Sequence, residues 1–448
     1  MDNRPDDLVE RLTAHLTAEP AELRRVLEGV QPADVASAAR SLDDEQVVTL
    51  LKALPEEFAA DVLVELGDDA REEVLERLTP REIADAVEEM DSDDAADVVA
   101  ELEQEKAVEV VELLEEEDRR EITTLLTYPE DTAGGIMQLE IVSVREDRTV
   151  ARAIEKIRLA SDQVGEDFSD VFVVSIDGKL VGRLPLPRII LADPSDTVRS
   201  IMDENTLPVQ ADLDQEAVAQ LFKKYDLTSA PVVGRDGVLL GRITVDDVVD
   251  VMHDEAAEDY SRLAGTMDEE FEEDSVLRKA MLRLPWLVVG LFGGVLSAFV
   301  FSRFEENLTA VIALAFFVPV ITAMGGNVAI QSSAVMVRAL ATEQIRPRDA
   351  AARLAREVGV SIITGMACAG FIFATSVLWW GDPRLGAVVS LSMMAVILIS
   401  TSVGAFVPLA MHRVRIDPAL ATGPFVTTSN DVLGIVIYLS LAGWILRG

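Results

Sequence analysis

The segment ALATGPFVTTSNDVLGIVIYLSLAGWIL, residues 419–446, carries a single charged side chain, Asp431. It exceeds the roughly 20 apolar residues needed to cross a bilayer core. A carboxylate at that depth costs about 2.5–3.5 kcal/mol on insertion scales, so such a residue is usually functional. The bland alternative is a packing carboxylate bonded to a neighbouring helix. Four more long apolar segments precede it: Pro285–Phe301, Leu308–Val337, Val358–Gly381 and Leu385–Met411. Five spans place the two ends of the chain on opposite sides of the membrane.

Loop charges orient the spans, because Lys and Arg gather on the cytoplasmic side. Arg278, Lys279 and Arg283 precede the first span; Arg338, Arg346, Arg348, Arg353 and Arg356 follow the second; Arg413 and Arg415 follow the fourth. The alternate connections hold Arg303, Glu305 and Glu306, then Asp382 and Arg384. The expected topology has a cytoplasmic N-terminus and an outer C-terminus in the plasma membrane. The acidic start MDNRPDDLVE lacks the basic and apolar parts of a secretory leader, so none is expected.

Charge divides the chain of 448 residues near residue 275. The first part has 26 Lys and Arg against 71 Asp and Glu, the second 13 against 8. Seven lysines beside 79 acids also suit a protein whose acidic faces stay solvated in a salty cytoplasm. A surface this negative argues against nucleic acid as a partner. Cys368, the sole cysteine, reads as a small apolar-core residue.

Within the acidic part, Leu42, Leu54, Leu66, Leu78, Met90, Leu102, Leu114 and Leu126 recur every twelve positions. Three residues before each stand Ala39, Leu51, Leu63, Leu75, Val87, Val99, Val111 and Thr123. A fixed period with helical spacing inside each unit predicts stacked short helices, a small α-solenoid. A second repeat pairs VVSIDGKLVGRL (173–184) with VVGRDGVLLGRI (232–243). Each is a strand, an Asp-Gly turn and a strand, which predicts a hairpin. Helices are expected at Val150–Ala160 and Gln215–Tyr225 before the hairpins, and at Asp246–Met252 after the second. Two such β-α-β-β-α units resemble tandem cystathionine-β-synthase-type (CBS) domains. The ending GRITVDD fits the Thr-x-x-Asp pattern with which such domains hold nucleotide, through Thr244 and Asp247. A purely structural pair is the equal alternative. The first unit has Pro185 and Arg188 instead.

In the second apolar segment, PVITAMGGNVAIQSS (319–333) predicts a broken helix at Pro319, Gly325 and Gly326, of the kind that lines a pathway. Close helix packing on the glycine pair is the alternative.

The order of modules now resembles the MgtE family of magnesium channels and transporters over essentially the full length. Four stretches carry the resemblance: EDTAGGIM (130–137), DEAAEDYSRLAG (254–265), PVITAMGGNVAIQSSAVMVRAL (319–340) and DPALATGPFVTTSNDVLGIVIY (417–438). It implies a multidomain fold: an α-helical solenoid over residues 1–130, CBS domains at 131–202 and 203–253, a connecting or plug helix at 254–280, and an all-α five-span membrane domain at 281–448. It implies a homodimer in the lipid bilayer, not an enzyme, passing Mg2+ along its two-fold axis between paired Asp431 side chains. Gly325, Gly326, Asn327, Thr427, Asn430 and Asp431 would line that path, with Thr428 nearby and Glu357 a further acidic position.

Mg2+ prefers octahedral oxygen ligands and keeps several waters, so one or two carboxylates suffice to grip it. His15, His253 and His412 form no soft-metal cluster. The resemblance supports regulatory Mg2+ at Asp214, Glu216, Asp226, Asp246, Asp247, Asp250, Glu255, Glu258 and Asp259, with Asp417 facing the plug helix. Ions shared among these groups would draw the cytoplasmic lobes together and shut the pore, and ATP at the CBS units is a second expected ligand. A CBS-regulated transporter of another divalent cation, of an anion or of an osmolyte, and a non-transporting membrane sensor are the competing readings.

Overall fold

The computed structural model describes residues 5–15, 23, 25, 27, 29–160, 170–264, 275–305, 311–341, 350–414, 416, 418 and 424–447. Asp417, Arg346, Arg348, Arg415 and Glu306 lie outside them. The chain forms two units, Met1–Glu255 and Ala256–Gly448.

The first unit opens with α1 (Pro5–His15) and a run of helices that begin twelve residues apart. These are α2 (Pro32–Ala39), α3 (Asp44–Ala53), α4 (Glu56–Val64), α5 (Asp68–Arg77), α6 (Pro80–Val87), α7 (Ser92–Ala100), α8 (Gln104–Leu113) and α9 (Glu116–Leu125). Alternate helices pack on one another, α2 on α4, α3 on α5, α4 on α6, α6 on α8 and α7 on α9, as a solenoid requires. The twelve-residue apolar positions sit between helices. Leu54, Leu66, Leu78 and Leu114 are buried there, and Ala39, Leu51, Leu63, Leu75, Val87 and Val99 fill the core above them. The period fails at its end, where Leu126 is exposed because no further helix covers it. Capping boxes start α3 at Asp43 with Gln46 and α6 at Thr79 with Glu82.

Two β-α-β-β-α units follow. The first has β1 (Ser143–Arg145), α10 (Val150–Leu159), β2 (Asp170–Val174), β3 (Leu180–Pro185) and α11 (Leu186–Leu191), with a short α12 (Val198–Ile201) behind it. The second has β4 (Val209–Gln210), α13 (Gln215–Tyr225), β5 (Ser229–Val233), β6 (Leu239–Thr244) and α14 (Val245–Ala264). Each sheet pairs its first strand parallel and its hairpin antiparallel, with matching irregularities at Val173/Val174 and Val232/Val233. The hairpin turns place Gly178 and Gly237 at φ near +80°, where a side chain would strain the backbone. They also bond each other, Leu180 N–H to Gly237 O and Leu239 N–H to Gly178 O.

The repeated Gly-Arg has a structural cause. A Cβ on Gly182 would lie 2.7 Å from Asp203 O, and one on Gly241 would lie 2.4 Å from Gln138 O. Arg183 and Arg242 then exchange backbone hydrogen bonds with those same two residues. The expected helix at Asp246–Met252 and the start of the connecting helix are one element, α14, because no breaker separates them.

Among the described residues the second unit has five helices long and apolar enough to cross a membrane: α15 (Val276–Ser302), α16 (Ala313–Ala341), α17 (Ala350–Trp380), α18 (Pro383–Arg413) and α19 (Pro424–Arg447). Helix α18 is the most enclosed and packs against α16, α17 and α19. The expected break in α16 is absent: Pro319, Gly325 and Gly326 all lie within one continuous helix. An intact helix keeps its backbone groups bonded in a medium without water, and glycine does not oblige it to open. Gly325 serves packing instead, since a Cβ there would lie 2.7 Å from Asn430 Nδ2. Glycines bring helices together elsewhere as well, Gly404 of α18 against Ala329 O and Gly293 of α15 against Thr428.

A Cβ at Gly404 would stand 2.4 Å from the Ala329 carbonyl oxygen. Gly404→Ala should therefore destabilise the bundle by about 1–3 kcal/mol through overpacking. Thermal unfolding of the detergent-solubilised protein checks this, with Gly370→Ala, whose Cβ meets nothing within 4 Å, melting no lower than the parent.

Candidate functional site

In the membrane unit, Asp431 is half-buried on α19, and among the described residues nothing donates a hydrogen bond to it or pairs with its charge. Its neighbour Asn430 is 2% exposed and held from two sides. Ser400 of α18 donates to Asn430 Oδ1, and Gly325 of α16 leaves room for the amide, since a Cβ there would lie 2.7 Å from Nδ2. Asn430 Nδ2 itself has no partner among the described residues. This clamp fixes the rotation of α19 and hence the direction of Asp431. One turn away, Thr428 meets Gly293; further along, the fully buried Tyr438 donates to Leu314 O at 2.8 Å.

Of the residues expected to line a path, Gly325 and Gly326 are buried beside Asn430, Thr427 is half-buried and Asn327 is exposed. Glu357 is 3.8 Å from Arg353 on the same face of α17.

In the first unit, several expected ion-binding side chains do local structural work. Asp214 caps α13 by accepting from Glu216 N–H at 3.0 Å, and Glu216 accepts from Gln220. Asp226 ends the same helix in the left-handed region, at φ +51°. Glu255 accepts from Gln215 Nε2 at 2.8 Å and so ties α14 to α13. Asp247 Oδ2 accepts from the Thr244 hydroxyl at 2.5 Å and from its N–H at 3.1 Å. The Thr-x-x-Asp pair thus closes the first turn of α14. In the second unit Glu258 pairs with Arg262 one turn later. The Asp259 side chain lies outside the description.

Asp246 and Asp247 begin α14, and the fold brings them to the start of α7, where sequence reasoning found only a solvated face. Ser92 opens that helix, and its N–H and hydroxyl both donate to Glu140, at 3.1 and 2.8 Å, while Leu139 N–H donates back to Ser92. The approach buries Asp93 to 5% exposure and leaves its Oδ1 without a hydrogen bond. Burial, then Asp247, Asp94 and Asp91, push Asp93 well above the carboxylate range. Burial, then Asp247 and Asp91, push Asp94 up to about 7; burial, opposed by Arg71 and reinforced by Glu130, pushes Asp97 to about 7. Asp247 and Asp91 are raised by burial, Asp247 against its bond to Thr244 and Asp91 against Arg242. Asp250 is raised by burial and Asp246. Only the dense acids of MDSDD (90–94) signalled this cluster in the sequence, and nothing there named its partner.

Such a cluster can bind protons or cations to relieve its repulsion. Among the described residues no three Asp, Glu, His or Cys side chains stand close enough together to hold a metal ion. Ion binding would therefore require the carboxylates to draw closer.

Comparison with known proteins is consistent across the chain. Residues 30–131 match the family described as the MgtE intracellular N domain, 198–254 the CBS domain, and 318–441 the MgtE divalent cation transporter. The magnesium transporter MgtE of Thermus thermophilus is 39% identical over 325 residues, covering 72% of each chain. That of Bacillus subtilis is 36% identical over 318 residues, covering 71% of this chain and 70% of the relative. A crystal structure of the soluble part of a magnesium transporter is 30% identical, with TM-score 0.52, covering 56% of this chain and all of that one.

The sign of the pH effect follows from Asp94 and Asp97. Their folded-state values near 7 exceed the ordinary 3.8, so the folded protein binds protons that the unfolded chain does not. Stability should rise as pH falls through 7 and level off near 4. Calorimetry of metal-free protein should give a higher melting temperature for this unit at pH 5.5 than at pH 8, and Asp94→Asn with Asp97→Asn should flatten the difference.

Proposed function

The chain belongs to the MgtE family of divalent cation transporters and is a multi-pass membrane protein; from that premise we propose that it carries Mg2+ across the plasma membrane as a homodimer gated by Mg2+ on its cytoplasmic side. The observation that carries the reading is Asp431, a half-buried carboxylate without a partner among the described residues, next to the Asn430 clamp. A second copy across a two-fold axis supplies the matching carboxylate, since an isologous interface brings identical residues together. Two carboxylates suit a hydrated divalent ion, which keeps most of its waters, and the ion's charge offsets the cost of the buried acids.

Around Asp431, Thr427 supplies a hydroxyl, Asn430, Gly325 and Gly326 form the wall behind it, and Asn327 faces outward. The N-terminus lies in the cytoplasm and the C-terminus outside. The domain limits follow the proposal made from sequence, at 130, 202, 253 and 280.

The gate rests on acidic groups that repel when metal-free. The sensing set comprises Asp246, Asp247 and Asp250 of α14, with Asp214, Glu216, Asp226 and Glu255, then Glu258 and Asp259 further along α14, and Asp417. Asp91, Asp93, Asp94 and Asp97 join it, because their charge is already crowded against Asp247. Ions that bind a compact arrangement better than a spread one shift the population toward it. ATP is a further regulator, held through Thr244 and Asp247 in competition with their mutual bond.

Mg2+ influx into liposomes carrying the purified protein tests the pathway: Asp431→Ala should abolish it while size-exclusion chromatography still reports a folded dimer. Influx in the Asp431→Ala protein equal to the parent's would move the pathway elsewhere. The gate has its own test. Glu258→Gln with Asp259→Asn should leave influx active at internal Mg2+ concentrations that shut the parent, and unchanged shut-off would place the sensor in other residues.

A further inference from the structure

Against a cytoplasmic part with 71 acids and 26 bases, residues 145–158 are net basic, five bases standing beside the acids Glu146, Asp147 and Glu155. Arg145, Arg148, Arg152, Lys156 and Arg158 fall within fourteen consecutive residues and supply five of those 26 bases. Four of them line a cavity of about 370 Å³ in the first CBS unit, together with Ser143, Val144, Ala153 and Val174. Among the described residues no acidic side chain lines it.

The cavity follows from local structure. Among the described residues β1 is an edge strand, paired with β2 alone, and Lys156 of α10 reaches its backbone at Ser143 O. Arg152 and Lys156 stand four residues apart, on one face of that helix, and Arg145 and Arg148 come from the end of β1 and the turn after it. Two of the cations are held by neighbouring acids. Asp147 holds Arg145 through Nε at 3.0 Å and one terminal nitrogen at 2.6 Å, which leaves the other terminal nitrogen unengaged by that pair. Glu155 holds Arg152 through one terminal nitrogen. Lys156 donates to the Ser143 carbonyl on the outer edge of β1. Arg148 is 3.9 Å from Asp147 and more than half exposed.

We infer that this cavity is a binding site for a phosphate chain, the di- or triphosphate portion of a nucleotide or free inorganic polyphosphate. The volume is that of a small-molecule site, which starts near 300 Å³. Guanidinium forks match phosphate oxygens bidentately, and three of the four cations are arginines. A net charge of −40 repels anions at long range, so a singly charged anion gains little here. A phosphate chain engages several cations at once, and sheet edges are recurrent anion sites. The site shares no residue with Thr244 and Asp247 and is independent of a nucleotide held there.

The test is titration calorimetry of the purified full-length protein at fixed free Mg2+, with inorganic tripolyphosphate and with ADP as probes. Tripolyphosphate should bind saturably, more weakly as ionic strength rises, and roughly tenfold more weakly or worse in Arg148→Glu with Arg152→Glu. Both side chains are more than half exposed, so that variant should melt as the parent does. If only tripolyphosphate binds through these residues, free polyphosphate is the ligand; if ADP binds through them too, the nucleotide is. The inference is overturned if tripolyphosphate does not bind saturably. It is overturned equally if binding is untouched by the double charge reversal, or is removed by Thr244→Ala instead.

Discussion

A carboxylate taken out of water must gain a counter-charge or a proton, and both units of this protein hold carboxylates that the described residues leave short of counter-charge. In the membrane unit Asp431 is half-buried and unpaired among the described residues. In the cytoplasmic unit Asp93 is buried and Asp94 half-buried, crowded with Asp97 by Asp247 and one another, with Arg71 and Arg242 too few to balance them. An uncompensated charge of this kind is a standing demand for a cation. The rest of the architecture holds these groups where the demand is greatest.

The means of holding differ between the units because the solvents differ. Around Asp431, the clamp is one hydrogen bond, Ser400 to Asn430, and a missing Cβ at Gly325. Without a hydrophobic drive between spans, close backbone approach and buried polar contacts supply the specificity. In the cytoplasmic unit, Glu140 caps the start of α7 through Ser92, and the Gly-Arg steps of the two hairpins lock the crossing segments at Asp203 and Gln138. Glu140 thereby brings one more carboxylate to a place already crowded with acids. Capping there and charge crowding are set by the same contact.

The phosphate site inferred in the first CBS unit inverts this logic locally. Arg145 and Arg152 face a common cavity while Asp147 and Glu155 neutralise part of their charge from outside. Anion and cation recognition can thus coexist on one acidic chain, because charge over about 10 Å is screened at physiological salt.

Sequence by itself determined the features whose cause is local and periodic. The twelve-residue period placed the starts of α2 through α9 because each helix buries the same face on its neighbours. The Asp-Gly turns placed both hairpins, and length with hydropathy placed five spans. Tertiary structure alone decided the rest. Whether Gly325–Gly326 opened α16 or packed it depended on Asn430, which lies over a hundred residues away. Which of the many acids were crowded depended on α7 meeting α14, since the sequence MDSDD reads the same on a solvated face as on a buried one. Periodicity is written along the chain, whereas the field at a carboxylate is a sum over neighbours that only folding assembles.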